Sequence, residues 1–313
     1  MAFFSGLYSD GTNANHILVP IPIHTIPLED DFLNILTLQC QRKNELWKMV
    51  DESQIIQSIY KNSHNLFAEV SNKTHVPLDF YKVYDSLDAG IVEESFGLPV
   101  PPWFSVHFPE WKIILAKYAS ALWGHTNFPE YSMDLQTEIL KISAGSTIAE
   151  IVDRWQQKIK CQKLKEKECE NIKDQKLYAY SGHDLTLIGL FAGFGFNNYL
   201  NVSTWPEHGS SVVLELWESD GDVHATENYY FKIYYYQNSS VENPKYIGDL
   251  IQECQGKKGC PISYLIKRAE LLRPKPDLKS FCNKAVISKA SKVVCSILNL
   301  NIFAVLFYFL IKS

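Results

Sequence analysis

Leu177-Tyr-Ala-Tyr-Ser181-Gly182-His183-Asp184, followed by Leu185-Thr-Leu-Ile-Gly-Leu-Phe-Ala-Gly-Phe194, is the stretch that decides the fold class. Leu177 to Ser181 is a short apolar run suited to a buried strand. From Leu185 onward, Leu187, Leu190, Phe191 and Phe194 recur at helical spacing. A strand that turns straight into a helix is the unit of an α/β protein, and the turn here is Gly182-His183-Asp184. Downstream, Val212, Leu214 and Leu216 share one face of Ser211 to Glu218, and Tyr229 to Tyr236 is a second β-rich run. The turn-prone Ser219-Asp-Gly-Asp222 between them predicts a hairpin.

Upstream the character is helical from about residue 30 to 165. Ser53 is placed to cap a helix carrying Ile55, Ile56, Ile59 and Tyr60. Pro109-Glu110 reads as the opening of another, with Trp111, Leu115, Tyr118 and Leu122 as its packed stripe and Gly124 as its end. The expected organisation is therefore a start of chain over 1–29 and a helical cap over 30–165. An α/β core with the His-Asp turn then occupies 166–285, and a hydrophobic tail 286–313.

The whole chain has 313 residues, with 30 Lys+Arg against 35 Asp+Glu and a formal charge of −5. That balance carries no electrostatic footprint for DNA or RNA, so a nucleic-acid partner is not expected. The arginines are Arg42, Arg154, Arg268 and Arg273. By sequence context Arg154 and Arg268 read as solvated helix cations, Arg42 as a surface residue, and Arg273 as a loop residue beside Pro274.

Gly182-His183-Asp184 lies where an open α/β sheet puts its chemistry, at the carboxyl end of a strand and the start of a helix. Free N–H groups at that helix start would attract a phosphate. The His183 imidazole can donate to a phosphate oxygen, and Asp184 can hand a proton to a departing alkoxide. No Cys/His cluster has metal-binding spacing, and neither a metal nor another cofactor is expected.

Of the seven cysteines, Cys254 and Cys260 flank a glycine-rich loop short enough for a local disulfide. Cys40, Cys161, Cys169, Cys282 and Cys295 are scattered, and the odd total leaves at least one thiol unpaired. Sequons stand at Asn72, Asn201 and Asn238. Val293 to Ile311 holds 19 uncharged residues, about 28 Å as a helix against a hydrocarbon core of about 30 Å, so a membrane-directed tail is expected, spanning or exchanged for a lipid anchor. The first ten residues lack the basic and apolar pattern of a signal peptide. With a membrane tail at the other end, an incomplete start is expected.

Several segments, in order, resemble the histidine acid phosphatases, in the branch of the prostatic and lysosomal acid phosphatases. Pro20-Ile-Pro-Ile-His24-Thr-Ile-Pro27-Leu resembles that family's "QPIPVHTVPL", Lys82-Val-Tyr-Asp85 its "KVYD", and Tyr180-Ser-Gly-His183-Asp184-Leu-Thr its "YSAHDTT". Leu214-Glu-Leu-Trp217 with Tyr229 to Tyr235 resembles its late hairpin, and the Cys254/Cys260 loop its late cysteine pair. The resemblance runs from about residue 1 to 285.

The resemblance implies an α/β fold with a mixed-sheet core and an inserted helical cap. It implies hydrolysis of a phosphomonoester through a phosphohistidine, with no metal. His183 would hydrogen-bond the phosphate and Asp184 would be the proton donor. Cys254 would pair with Cys260, and Cys40 with Cys282; Ala89 and Ser211 stand where the family has a further bridge. A homodimer, residence in the secretory pathway and a lysosomal or cell-surface membrane location follow from resemblance alone.

The family's Arg-His-Gly-x-Arg-x-Pro motif, with its nucleophilic histidine and arginine clamp, has no counterpart, and no Arg-His pair occurs anywhere. The first strand would be missing with it, leaving an exposed sheet edge. Among the other histidines, His24 has the best claim to lie near the site. The expectation is a form lacking its N-terminal segment and inactive by itself. The alternative is a non-catalytic, membrane-tethered isoform that binds partners.

Overall fold

The computed structural model describes residues 23–76, 88–94, 96–164, 167–196, 199–200, 203–219 and 228–286. Asn201, Lys82 to Asp85, Cys295 and the run from Val293 to Ile311 lie outside these residues.

Helix α1, Gln41–Glu52, starts at Cys40, whose sulfur accepts the Lys43 N–H. Leu46 and Val50 point inward, and so does Lys43. Its ammonium donates to the carbonyls of Ile35, Leu36 and Leu38, at 2.6, 3.2 and 2.8 Å, which fixes the preceding loop. Burial pushes the Lys43 amine down to about 8. Helix α2, Gln54–Asn62, is capped by Ser53, whose hydroxyl accepts the Ile56 N–H as its sequence anticipates. Helix α3, His64–Thr74, follows and carries Asn72 on its exposed side.

Helix α4 spans Pro102–Leu122 and runs straight through Pro109. The expected start at Pro109 is thus corrected to Pro102. The earlier proline occupies the first turn, where its missing N–H costs nothing, whereas Pro109 forgoes one bond inside the helix. Trp111, Tyr118 and Leu122 are buried as the stripe requires, and Gly124 follows at φ +89°. Helices α1 to α4 share one apolar core.

Helix α5, Leu135–Leu140, continues through a π-helical turn at Lys141–Gly145 into α6, Ser146–Lys163. A Cβ on Gly145 would stand 2.0 Å from the Leu272 carbonyl oxygen, so only glycine lets this turn lie against the backbone there. Helix α7, Asp184–Gly193, is buried from Ile188 to Gly193. Strand β1, Ser211–Glu218, pairs antiparallel with β2, Tyr229–Tyr236, in the register Ser211 to Tyr236 through Glu218 to Tyr229. The two-residue strands β3, Lys245–Tyr246, and β4, Cys260–Pro261, both pair with β2. Tyr229, Phe231, Ile233 and Tyr235 alternate inward, and the last three pack with α6, α7 and α8, Ile262–Leu272, in a second core. The last helix among the described residues, α9, is Leu278–Cys282. The architecture is mixed α/β, with a small sheet that is antiparallel among the described residues.

The expected strand at Leu177–Ser181 does not form a ladder. Residues 175–183 are extended and exposed, because no strand among the described residues lies beside them to pair with. Disulfides join Cys40 to Cys282 and Cys254 to Cys260, and a third, Cys161–Cys169, closes the end of α6. That third bridge was not foreseen.

His125, just after α4, is buried, and its Nε2 lies 2.8 Å from the Ile188 carbonyl. Desolvation pushes its imidazole below the ordinary histidine value, with the Ile188 carbonyl opposing. The unfolded chain therefore takes up this proton first, and stability is lost as pH falls through about 6.5 by up to about 1.4 kcal/mol per unit. Urea midpoints measured between about pH 7 and 5 should show that slope, and the His125→Asn protein should show a shallower one.

Candidate active site

His183 and Asp184 stand together at the start of α7, His183 exposed and Asp184 half-buried. The tie that sets them is the Thr186 hydroxyl. It accepts the His183 backbone N–H at 3.0 Å and donates to the Leu33 carbonyl, which fastens the loop at residues 31–37 to the helix start. Gly182 makes this approach possible, since a Cβ there would sit 2.9 Å from the Thr186 oxygen.

The helix start is less open than its sequence suggests. Asp184 turns its own Oδ1 onto the Leu185 N–H at 2.7 Å, and the His183 carbonyl accepts the Thr186 and Leu187 N–H groups at 3.1 and 3.3 Å. The expected row of free donors for an anion is therefore mostly consumed. The second oxygen, Oδ2, accepts the indole N–H of Trp205 at 3.3 Å, a contact the sequence did not signal.

The site faces a cleft of about 3760 Å³, several times the roughly 300–1,000 Å³ of a small-molecule pocket. The extended segment 176–183 and β1 both line it, and the outer edge of β1 carries no strand among the described residues. The face of α6 with Glu150, Arg154 and Lys158 lines it as well. Val213, Trp217, Leu177 and Tyr178 leave apolar surface exposed along both walls. His24 and His208 also line the cleft, so the structure brings His24 to the same opening as His183.

All four arginines already have partners, which corrects the reading of Arg42 as a surface residue and of Arg154 and Arg268 as solvated cations, while Arg273 lies in the loop beside Pro274 as expected. Arg42 donates to Glu138 Oε2 and to the carbonyls of Lys284 and Ala285. Arg154 pairs with Glu150, donates to the Tyr180 hydroxyl at 3.1 Å and lies over the Tyr178 ring at 3.5 Å. Arg268 donates to the Gly193 and Ala192 carbonyls at the end of α7. Arg273 makes a two-pronged pair with Asp153 at 2.9 and 2.6 Å. Sequence spacing hid these partners because most stand 75 to 243 residues away.

No group of three or more metal-ligating side chains occurs among the described residues. Asn238, the other described sequon, is half-buried and donates to Glu207 at 2.8 Å.

Gly182 and Thr186 share one contact, so their substitutions should not add. Gly182→Ala is expected to destabilise the chain by about 1 kcal/mol and to be nearly neutral in a Thr186→Ala background, a coupling that a urea double-mutant cycle measures.

The family description "Histidine phosphatase superfamily (branch 2)" matches residues 1–236. A Caenorhabditis elegans protein named, by inference, as an acid phosphatase is 28% identical over 182 residues, covering 57% of this chain and 39% of its own length. Lysosomal acid phosphatase of Bos taurus is 24% identical over 265 residues, covering 84% of this chain and 55% of that protein. The Homo sapiens lysosomal acid phosphatase is 23% identical over 275 residues, with 87% and 57% covered. The chain thus spans about half the length of the curated relatives it matches.

Proposed function

The chain belongs to the histidine phosphatase superfamily, branch 2, and from that premise we propose that its catalytically complete form hydrolyses phosphate monoesters through a phosphohistidine. His183 holds the phosphate and Asp184 protonates the leaving oxygen. The nucleophilic histidine and the arginine clamp come from an Arg-His-Gly segment that the 313 residues do not contain. By themselves these residues are inactive, since no guanidinium is left to meet the phosphate.

The observation that carries this reading is the cleft. His183 and Asp184 stand at an opening lined by segment 176–183 and by β1, and neither that segment nor the outer edge of β1 has a strand partner among the described residues. A further strand supplied by the complete form would find unpaired backbone there.

Two proteins test it, the 313-residue chain and a longer product carrying any in-frame Arg-His-Gly segment of the native transcript. The short chain should not hydrolyse an aryl phosphate above background, and the longer one should at acidic pH. In the longer protein Asp184→Ala should slow an alkyl phosphate by about 10²-fold or more, and an aryl phosphate much less, because the alkoxide needs the proton more. Equal activity of the short and long chains would overturn the proposal.

A tether to a membrane is favoured by the uncharged run from Val293 to Ile311. Among the described residues no helix is long and apolar enough to cross a membrane. Expressed in a eukaryotic secretory host, the chain should pellet with membranes, and a form ending at Val286 should be recovered in the soluble fraction. Lysosomal relatives support a secretory route to a lysosomal or cell-surface membrane.

A further inference from the structure

Asp184 is held by two donors of different kinds. Its Oδ1 accepts the Leu185 N–H at 2.7 Å, a bond within its own turn. Its Oδ2 accepts the Trp205 indole N–H at 3.3 Å, from a residue 21 positions later. Trp205 is in turn fixed through its backbone, where its carbonyl accepts Gln237 Nε2 at 2.7 Å, just past the end of β2. The Trp205 ring packs against the first apolar core and lines the cleft.

An indole nitrogen can only donate. An ionised Asp184 accepts at both oxygens, which is the arrangement the structure holds. With a proton on Oδ2, that oxygen loses its charge and one of its lone pairs, becoming a far weaker acceptor for the indole N–H, and the contact loosens.

We propose that Trp205 is a positioning residue that docks on Asp184 when the carboxyl is ionised and is released when Oδ2 takes up a proton. The proposal rests on Asp184 being the proton donor of the reaction above. Release turns the new O–H toward the cleft. As the ester O–P bond breaks and the phosphoryl group passes to the histidine nucleophile, that proton moves to the departing oxygen, and the product leaves as a neutral alcohol. Asp184 is again a carboxylate, and the indole closes on it. Water that attacks the phosphohistidine returns a proton to Asp184 and frees the indole once more. The other titratable groups lining the cleft near this pair are His24, Asp31, His183, Glu207 and His208. They are the groups whose titration the test must separate from that of Asp184.

The test needs no catalysis. The 313-residue chain is labelled with ¹⁵N-tryptophan, which gives seven indole N–H signals. These are followed from about pH 7 to 3. The Trp205 signal is identified by its loss in Trp205→Phe. It should shift sigmoidally with pH in the parent chain and remain fixed in Asp184→Asn, which keeps His183 and the other cleft groups.

A Trp205 signal that does not move, or that moves identically in Asp184→Asn, overturns the proposal. Should Asp184→Asn fail to fold, the parent chain still decides, because seven signals that all stay fixed over that range exclude the coupling. This outcome is independent of the phosphatase reading. A fixed indole with an active long form sinks only the role of Trp205, and a titrating indole with an inactive long form sinks only the hydrolysis.

Discussion

Residues 176–182 keep an extended course without a single ladder bond, so side chains must hold what a sheet ordinarily would. Two cations of α6 do most of that work. The Lys158 ammonium gathers the carbonyls of Ile172, Lys173 and Gln175 at 3.1, 2.6 and 2.8 Å, which pins the chain where it turns toward the site. Arg154 lies over Tyr178 and reaches the Tyr180 hydroxyl, gripping the middle of the segment. The Thr186 hydroxyl fixes the far end at His183. The placement of the His-Asp pair thus depends on three side chains, Lys158, Arg154 and Thr186, that hold one stretch of chain without ladder bonds.

This arrangement has a chemical consequence. Phosphoryl transfer is governed by how well charge on the transferred group is met, and preorganised cations supply most of that effect. Here the cations nearest the cleft are occupied, Arg154 by Glu150 and two tyrosines, and Lys158 by three carbonyls. Occupation also matters for Tyr180, whose hydroxyl is pushed up to about 12 by burial and by Glu150 and so remains a neutral donor or acceptor at any physiological pH. The cleft thus offers no free guanidinium among the described residues.

Much of the fold was legible from local pattern. The hairpin of β1 and β2 follows from period-two alternation and a turn-prone link, and its register needs nothing distant. Helix α7 and the Ser53 cap were equally plain, because capping and apolar spacing are decided within a few residues. What failed depended on partners far along the chain. Leu177 to Ser181 has the composition of a strand, but a strand exists only beside another. Pro109 looks like a helix start until Pro101-Pro102 supplies a better one seven residues earlier. Of the candidate site, His183 and Asp184 were legible from their turn. Trp205 was not, since a tryptophan in a loop carries no signal of the carboxylate it will meet.

The far end of the described chain is fastened with unusual thoroughness. Cys282 is bonded to Cys40, Arg42 grips the Lys284 and Ala285 carbonyls, and Glu45 accepts the Val286 N–H at 2.6 Å. All three partners belong to the first turns of α1 or its cap. A pull transmitted through residue 286 would therefore load α1 and one covalent cross-link, and would bypass the sheet and the His-Asp turn. Mechanically, the His-Asp turn is insulated from a load applied at residue 286.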